Sequence, residues 1–309
     1  MKTVHPLRLP AFLQRLLEAK IVALLQPEER PRIDFSVPPG EPALTAADSV
    51  SWQVFKNPVV LFIGGVTAAL LELAEPRVRT GVWEHTTFRT DPLSRMQRTG
   101  LATMTTVYGP RSHAVAAIAA VTARHRQIAG TTPGGAAYSA VDCDLLDWVH
   151  ATASFGFLEA YHAYVRRVGG AERDRFYREG LPSARAYGAT ATPHSQADLD
   201  AQFESMRGRL EASPIVFEFL AILRRAPVWP KPLRPMQGLL IKAAVETTPA
   251  WVRERLGLDR RWLLRPWQRW LVRRVAATAD RLVLRSTPPV QACRRLGLPD
   301  DYLVTRDGR

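Results

Sequence analysis

Apolar residues recur at every third or fourth position along much of the chain, a spacing that is typical of helices with one buried face. The pattern is clearest after Pro110, which would begin a helix that Gly130 would end. The apolar face of this predicted helix carries Ala114, Ile118, Val121 and Ile128. His125 falls in the same register, so the spacing places an imidazole on the buried face of the helix.

Start and stop signals define the other predicted helices. Asp91 followed by Pro92 is a common way to begin a helix, and it predicts one over residues 92–106. A long helix is predicted over 142–168, acidic at its start and basic at its end, as the helix dipole favours. Shorter helices are predicted over 172–187, 196–211 and 214–225. No stretch alternates apolar and polar residues over enough positions to predict a strand, so the expected fold class is all-α.

The chain divides into three parts. Residues 1–49 are predicted to form an N-terminal helical arm and a Pro-rich loop, residues 50–297 a single domain, and residues 298–309 a C-terminal tail. The longest apolar run, Pro58–Ala74, contains two glycines and Glu72, so we expect a buried helix and not a membrane span. The N-terminus has no apolar core followed by a small-residue cleavage site, and this favours a cytoplasmic protein.

The net charge is +13, and only five of the 42 basic residues are lysines. An arginine excess could serve nucleic acid, an anionic membrane or the propionates of a cofactor, or reflect composition alone, so charge does not choose a function. The two cysteines lie far apart and have no metal-type spacing, which argues against a disulfide framework or a structural zinc site. The motifs of P-loop nucleotide binding, HExxH zinc proteases and α/β-hydrolases are missing from the sequence.

Three histidines are candidates for binding a metal or cofactor. A neutral imidazole held among apolar neighbours is a suitable axial ligand for haem iron, and His125 fits that description. His125 fits an ordinary core histidine as well, and periodicity alone does not separate the two interpretations. His150 is the rival candidate on the inner side of the predicted long helix, with an apolar pocket expected between the two helices. His85 is the third candidate, near a helix break.

Arg95 and Thr99 form a candidate polar pair. They are four residues apart on the predicted 92–106 helix, so their side chains share a face, with their Cβ atoms about 5–6 Å apart. A guanidinium beside a hydroxyl can orient a bound anion or an oxygen species. An ordinary surface pair has the same spacing, and the residues leave both interpretations open.

Several segments in this order resemble the MpaB / rubber-oxygenase catalytic domain family, which includes the latex-clearing proteins. They are NPVVLFIGGVTAALLELAEPRVRTGVWEHTTFRTDPLSRMQRT, then RHRQIAG, then YSAVDCDLLDWVHAT. The C-terminal pieces LRP, TPAWVRERLGL and STPPVQACRRLG are also similar to the family. The resemblance covers residues 50–297.

The resemblance implies a globin-reminiscent all-α domain that encloses a pocket for haem b. His125 matches the family's proximal iron ligand, and His150 matches a Trp-Val-His element that lines or supports the pocket. Arg95 and Thr99 match polar residues of the pocket, where they would donate hydrogen bonds to an oxygen species or to a haem propionate. The implied activity is the O₂-dependent oxidation of a small hydrophobic substrate, such as an isoprenoid or a lipid-like alkene.

One position departs from the family's rubber-cleaving members. These have a lysine directly before the threonine, where this chain has Arg98. Arginine stays protonated in proteins and cannot ligate iron. A resting state closed by lysine is therefore not expected, and the case for polyisoprene as the substrate is weakened.

Two other functions fit the same sequence. A non-catalytic haem sensor or carrier would use the same His125. A basic protein that binds nucleic acid or an anionic membrane would use the Trp- and Arg-rich segment 251–274, although tryptophans at helical spacing more often form a packing face. We expect no nucleic-acid partner, while a peripheral membrane contact is compatible with a lipid-soluble substrate. The oligomeric state is left open.

Overall fold

The structure, a computed structural model, describes residues 5–7, 10–25, 32–228 and 234–306. These residues form 15 α-helices and two short strands, which confirms the predicted all-α class. The helices are α1 (Ala11–Leu25), α2 (Val50–Phe55), α3 (Pro58–Ala74), α4 (Pro76–His85), α5 (Pro92–Tyr108), α6 (Arg111–His125), α7 (Cys143–Tyr164), α8 (Gly170–Tyr187), α9 (Gln196–Met206), α10 (Pro214–Arg225), α11 (Arg234–Thr247), α12 (Ala250–Arg255), α13 (Pro266–Ala279), α14 (Pro288–Arg295) and α15 (Tyr302–Thr305). The strands are β1 (Ala129–Thr131) and β2 (Ala137–Ser139).

The core is organised around α3 and α7, which cross at two glycines. A Cβ atom on Gly64 would lie 2.7 Å from the Cα atom of Phe157, and one on Gly156 would lie 2.4 Å from the carbonyl oxygen of Gly64. Backbones approach this closely only where both side chains are absent. Most of α3 is buried, as predicted for a core helix, with α10, α11 and α13 packed against it.

The described residues contain no single helix that is long and apolar enough to cross a bilayer. Helices α3 and α4 reach that length and composition only when taken together, as a pair bent by 111°.

Local capping signals fix several helix starts as the sequence predicts. The carboxylate of Asp91 accepts a hydrogen bond from the Ser94 amide at 3.2 Å, and α5 begins at Pro92. Ser213 caps α10, which covers the predicted residues 214–225. These signals lie within one helical turn of the start, so they act before any tertiary contact is needed.

The helix that carries His125 ends earlier than predicted. Helix α6 stops at His125, whereas Gly130, the predicted end, lies in β1 opposite Tyr138 of β2. The antiparallel hairpin holds the chain extended here, and its hydrogen bonds continue from the Ala140 amide to the Ile128 carbonyl at 2.9 Å. Each strand is only three residues long, too short for its alternation to be seen in the sequence. His125 is therefore half-buried in a last turn, and it does not sit on a continuous buried stripe.

Two other helices are shorter in the structure than the sequence predicts. Helix α7 ends at Tyr164 and not at Val168, because the Val168 amide donates to Nδ1 of His162 at 3.0 Å and Gly169 already caps α8. Helix α9 ends at Met206, short of the predicted 211.

Helix α1 lies in the predicted N-terminal arm and packs against α5. Leu7, just before it, forms a parallel bridge with Leu282. Parts of the predicted arm lie outside the described residues, namely 1–4, 8–9 and 26–31, as do residues 229–233 before α11 and 307–309 of the predicted tail.

Candidate functional site

A short turn folds α5 and α6 back on each other. Gly109 and Pro110 connect them, and the Gly109 amide donates to the Thr105 carbonyl at 3.0 Å. In such a hairpin, residues at equal distances from the turn lie opposite each other. Arg95, near the start of α5, is thus paired with His125 at the end of α6. The charge of Arg95 acts on the imidazole and lowers the pKa of His125, which agrees with this placement.

The ring of His125 has a lowered pKa and is not engaged by another side chain of the described residues. Burial lowers its pKa below the usual 6.5, and Arg95 lowers it further. In the part of the chain that the structure describes, no side-chain hydrogen bond is made by its ring. His125 is only half-buried, so a ring nitrogen without a protein partner can be reached by water or by a ligand.

Arg95 and Thr99 make the contact that their spacing predicts. The Arg95 guanidinium donates from Nη1 to the Thr99 hydroxyl, which in turn donates to the Arg95 carbonyl at 3.0 Å. The Thr99 side chain is exposed, whereas burial lowers the pKa of Arg95. The pair is thus open to solvent at the hydroxyl end and enclosed at the guanidinium end.

Glu72 is a site residue that the sequence analysis missed. It lies on α3, where its Oε1 atom accepts from the Thr152 hydroxyl at 3.5 Å, and burial raises its pKa from 4.5 to about 7. Arg95 acts against that rise, so the two charges are close enough to interact. The sequence feature that could have identified Glu72 is that it is a single carboxylate inside the longest apolar run. Helices α3, α5 and α6 therefore bring Glu72, Arg95 and His125 together, a group called here the Glu72–Arg95–His125 cluster.

The face of α3 that carries Glu72 also presents small residues. Gly65, Ala69 and Glu72 follow one another at spacings of four and three, and all three are partly reached by solvent, as are Pro58, Leu61 and Phe62 earlier in the helix. A Cβ atom added to Gly65 would meet nothing within 4 Å. Open space therefore lies beside the middle of a core helix, on the face that carries Glu72 about two turns later.

His150 occupies a different environment on α7. Its Nε2 atom lies 3.4 Å from the Ser154 hydroxyl, and a Cβ atom on Gly180 of α8 would lie 3.4 Å from the same nitrogen. Burial lowers the pKa of His150 to about 4, while Asp147 acts in the opposite direction. The ring is packed between α7 and α8. Helix α6 packs against α5 and α8, so the pocket expected between the His125 and His150 helices is not formed by direct packing of α6 on α7.

His85 lies away from the cluster, whereas Arg98 contacts the loop before α5 with its side chain while its charge still lowers the pKa of Arg95. His85, at the end of α4, places Nε2 3.2 Å from the Tyr138 hydroxyl of the hairpin. Arg98 donates from Nη2 to the Thr87 hydroxyl at 2.6 Å, in the loop before α5. The guanidinium of Arg98 is thereby directed to that loop.

Two pockets of about 350 and 390 Å³ open elsewhere, on the α9 side of α7. Trp148, Asp147 and Arg209 line the first, and Phe155 and Trp251 line the second. Neither is lined by a member of the cluster. No group of three or more His, Cys, Asp or Glu side chains in the described ranges is arranged to hold a metal ion by itself.

The family comparison agrees with the resemblance seen in the sequence. A family model described as "ER-bound oxygenase mpaB/B'/Rubber oxygenase, catalytic domain" matches residues 52–281, well over half of the chain. The chain belongs to this family. Neither the curated proteins nor the solved structures contain a match.

The MpaB / rubber-oxygenase match begins in α2 and ends just after α13, so it contains Arg95, Thr99, His125 and His150. The family is one of oxygenases, which places this chain among oxidoreductase enzymes that use O₂ and a small-molecule substrate. The haem pocket and the roles of these four residues stay predictions.

Proposed function

We propose that this protein is a haem b-dependent oxygenase that oxidises a small hydrophobic alkene of the isoprenoid or lipid type. Membership of an oxygenase family supports the general reaction. The observation that carries the haem assignment is the state of His125, a half-buried neutral imidazole without an internal hydrogen bond. The matched family domain includes this residue.

The chemistry of His125 suits an axial ligand. Iron binds the neutral form of imidazole through the lone pair of one ring nitrogen, so a ligand histidine must be neutral and must have that nitrogen free of other contacts. Burial and the charge of Arg95 both keep the ring neutral at physiological pH. His150 is also neutral, but its ring is enclosed by Ser154 and Gly180, and this supports a structural role for it.

Arg95 and Thr99 supply hydrogen-bond donors on the helix opposite His125. A guanidinium with a neighbouring hydroxyl suits a carboxylate such as a haem propionate, because charge-assisted bonds of this kind are short and strong. Arg95 already interacts with the carboxyl group of Glu72, so an incoming propionate would share that charge. The pair would hold one edge of the cofactor and orient the oxygen-bearing reactant.

The face of α3 suits an apolar, flat ligand. Gly65 and Ala69 project little from the helix, and the space beside Gly65 lets a ligand approach the backbone closely. A hydrophobic alkene gains free energy when its apolar surface leaves water for such a wall. Glu72, at the end of this face, has a pKa of about 7 and can take up or release a proton at its carboxyl group near neutral pH.

When bound, the haem would supply O₂ activation and the cleavage of the alkene bond. The chain's own residues would hold and orient the reactants and limit the access of water to them.

The absorption spectrum tests the proposal most directly. Protein expressed with a haem precursor should contain stoichiometric haem in the pyridine haemochrome assay and show a Soret band. The band should be lost in His125→Ala and restored by added imidazole. His113→Ala is the matched control, because His113 is exposed in the first turn of the same helix. Retention of full haem and an unchanged spectrum in His125→Ala would contradict the assignment, as would a folded wild-type protein that takes up no haem.

Oxygen uptake then separates an oxygenase from a haem sensor or carrier. The loaded protein should consume O₂ and form an oxidised product with a member of a terpene and unsaturated-lipid panel. Reversible ligand binding with no product from any alkene would contradict the oxygenase assignment while leaving the haem site intact.

A further inference from the structure

Helix α13 exposes two tryptophans on its outer face. Trp267 and Trp270 are each 58% exposed, among the most exposed large apolar side chains of the described residues. They are three residues apart, and Arg274 and Ala277 continue the same exposed face at spacings of four and three. This surface is called here the Trp267–Ala277 face.

These two indoles do not take part in the packing of the core. Helix α13 is anchored by its other side, where Val272 and Ala276 are fully buried. Arg269 donates to the Glu246 carboxylate at 2.5 Å and Arg273 to the Ala163 carbonyl at 2.9 Å. The helix is therefore fixed in place, and its tryptophans are presented to solvent on a rigid support.

The sequence around the two tryptophans is strongly basic. Residues 250–279 contain eight arginines and only two acidic residues. One of these, Asp259, is already paired with Arg261 at 2.8 Å. The guanidinium of Arg274 lies 5.2 Å from the ring centre of Trp270, so cation and indole form one surface.

We propose that the Trp267–Ala277 face docks on an anionic lipid surface. Tryptophan favours the boundary between lipid headgroups and acyl chains, where its ring is partly apolar and its N–H can stay hydrated. Arginines beside it bind lipid phosphates, which adds electrostatic attraction to the burial of the indoles. Docking is a property of the outer surface and does not depend on haem, although it would bring the enzyme to lipid-soluble substrates.

The same observations favour lipid over two other occupants. A second copy docked symmetrically on this face would place arginine against arginine, and the residues of the face include no carboxylate to compensate. Nucleic acid would use the arginines, but the indoles would find stacking partners only in unpaired bases. An anionic bilayer can contact the indoles and the arginines at the same time.

Vesicle sedimentation tests the proposal with the full chain. The protein should bind vesicles that contain phosphatidylglycerol, and bind much less to pure phosphatidylcholine. Trp267→Ala/Trp270→Ala should weaken binding by about tenfold or more, because the buried apolar area is lost. Its apolar control is Phe12→Ala/Leu16→Ala, which removes two other exposed large side chains.

A second pair of double variants, one on this face and one elsewhere as its control, measures how much the arginines contribute to vesicle binding. Arg265→Gln/Arg274→Gln should weaken binding to anionic vesicles by about thirtyfold at low salt. Arg178→Gln/Arg185→Gln removes the same charge from exposed positions on α8 and should have a much smaller effect. Circular dichroism confirms that each variant is folded.

Several outcomes would overturn the proposal. Undiminished vesicle binding by Trp267→Ala/Trp270→Ala would show that this face is not used, and so would an equal loss in either control. Self-association that depends on the two tryptophans, without vesicle binding, would assign the face to a second copy. DNA binding that exceeds vesicle binding and ignores the tryptophans would assign the arginines to nucleic acid.

Discussion

The two sides of the α3–α7 pair differ in how tightly they are filled. On one side, helices cross backbone to backbone at Gly64 and Gly156, and His150 packs against Gly180. On the other side, space opens beside Gly65, and the residues that the structure describes make no side-chain hydrogen bond to the ring of His125. Burial makes both imidazoles neutral, so neutrality does not identify a ligand. The two rings differ in their contacts, because Nε2 of His150 lies beside the Ser154 hydroxyl while no side chain of the described residues bonds the ring of His125, and this difference is the basis of the proposal that His125 is the ligand.

The largest expected difference between the two sides is in haem content. His125→Ala should lose the haem, whereas His150→Ala should keep it and lose about 1–3 kcal/mol of stability, because a packed ring is removed. Haem per chain and the urea midpoint of the haem-free protein measure the two effects. Loss of haem in His150→Ala with the fold intact would place a ligand on the packed side instead.

A pair of glycine variants sharpens the comparison in terms of stability. Gly156→Ala should cost about 3 kcal/mol or more, because its Cβ atom would lie 2.4 Å from a backbone oxygen and a helix would have to move. Gly65→Ala should be neutral or gain about 0.5–1 kcal/mol, since its Cβ atom enters open space and alanine favours helix. Urea unfolding of the haem-free variants measures both. Equal costs would mean that the space beside Gly65 is not present in solution.

Titration distinguishes the two sides by the sign of their pH dependence. Folded Glu72 has a pKa of about 7 against 4.5 unfolded, so its contribution to stability falls as pH rises from about 4.5 to about 7. Folded His150 has a pKa of about 4 against 6.5 unfolded, so its contribution is complete above 6.5 and is lost as pH falls toward 4. In the wild type, the two groups change stability with pH in opposite directions between pH 4.5 and pH 6.5.

Replacing one of the two groups should reveal the pH dependence of stability that the other group contributes. Glu72→Gln should be stabilised by about 2–3 kcal/mol at pH 8 and leave the His150 slope, so that stability rises with pH. His150→Gln should leave the Glu72 slope, so that stability falls with pH. Urea unfolding of the haem-free protein from pH 4 to pH 8 measures both. Two variants with curves parallel to the wild type would show that neither group is buried as described.

Local signals in the sequence predict the elements of the site better than its contacts. The start of α5 follows from Asp91 and Pro92, which cap it within one turn. The end of α6 at His125 does not follow, because the strand pairing of Gly130 with Tyr138 competes with the helix there. Strand pairing depends on the residues of the partner strand, and the three- or four-residue spacing of apolar positions gives no information about them.

The cluster itself depends on contacts distant in the sequence. Glu72 and Arg95 come from different helices, and their interaction sets the charge around His125. The sequence shows a carboxylate in an apolar run but not the group that faces it. His150 illustrates the reverse case, since its helical register suggests a pocket while Gly180, thirty residues later, fills the space beside its ring.

The smallest expected effect concerns Thr99, at the solvent end of the open side. Thr99→Val removes the hydroxyl that receives the Arg95 guanidinium, and Thr103→Val is its matched control on the same helix. Thr99 is exposed and Thr103 is half-buried, and both donate to a carbonyl one turn earlier at 3.0 Å, so both variants should change stability by only about 0.5 kcal/mol or less. Substrate turnover should fall about tenfold in Thr99→Val alone, because the guanidinium loses the group that orients it. Steady-state kcat and KM with an alkene substrate, measured at equal haem content, compare the two. Equal turnover in both variants would make Arg95 and Thr99 an ordinary surface pair and would leave His125 and Glu72 to define the open side.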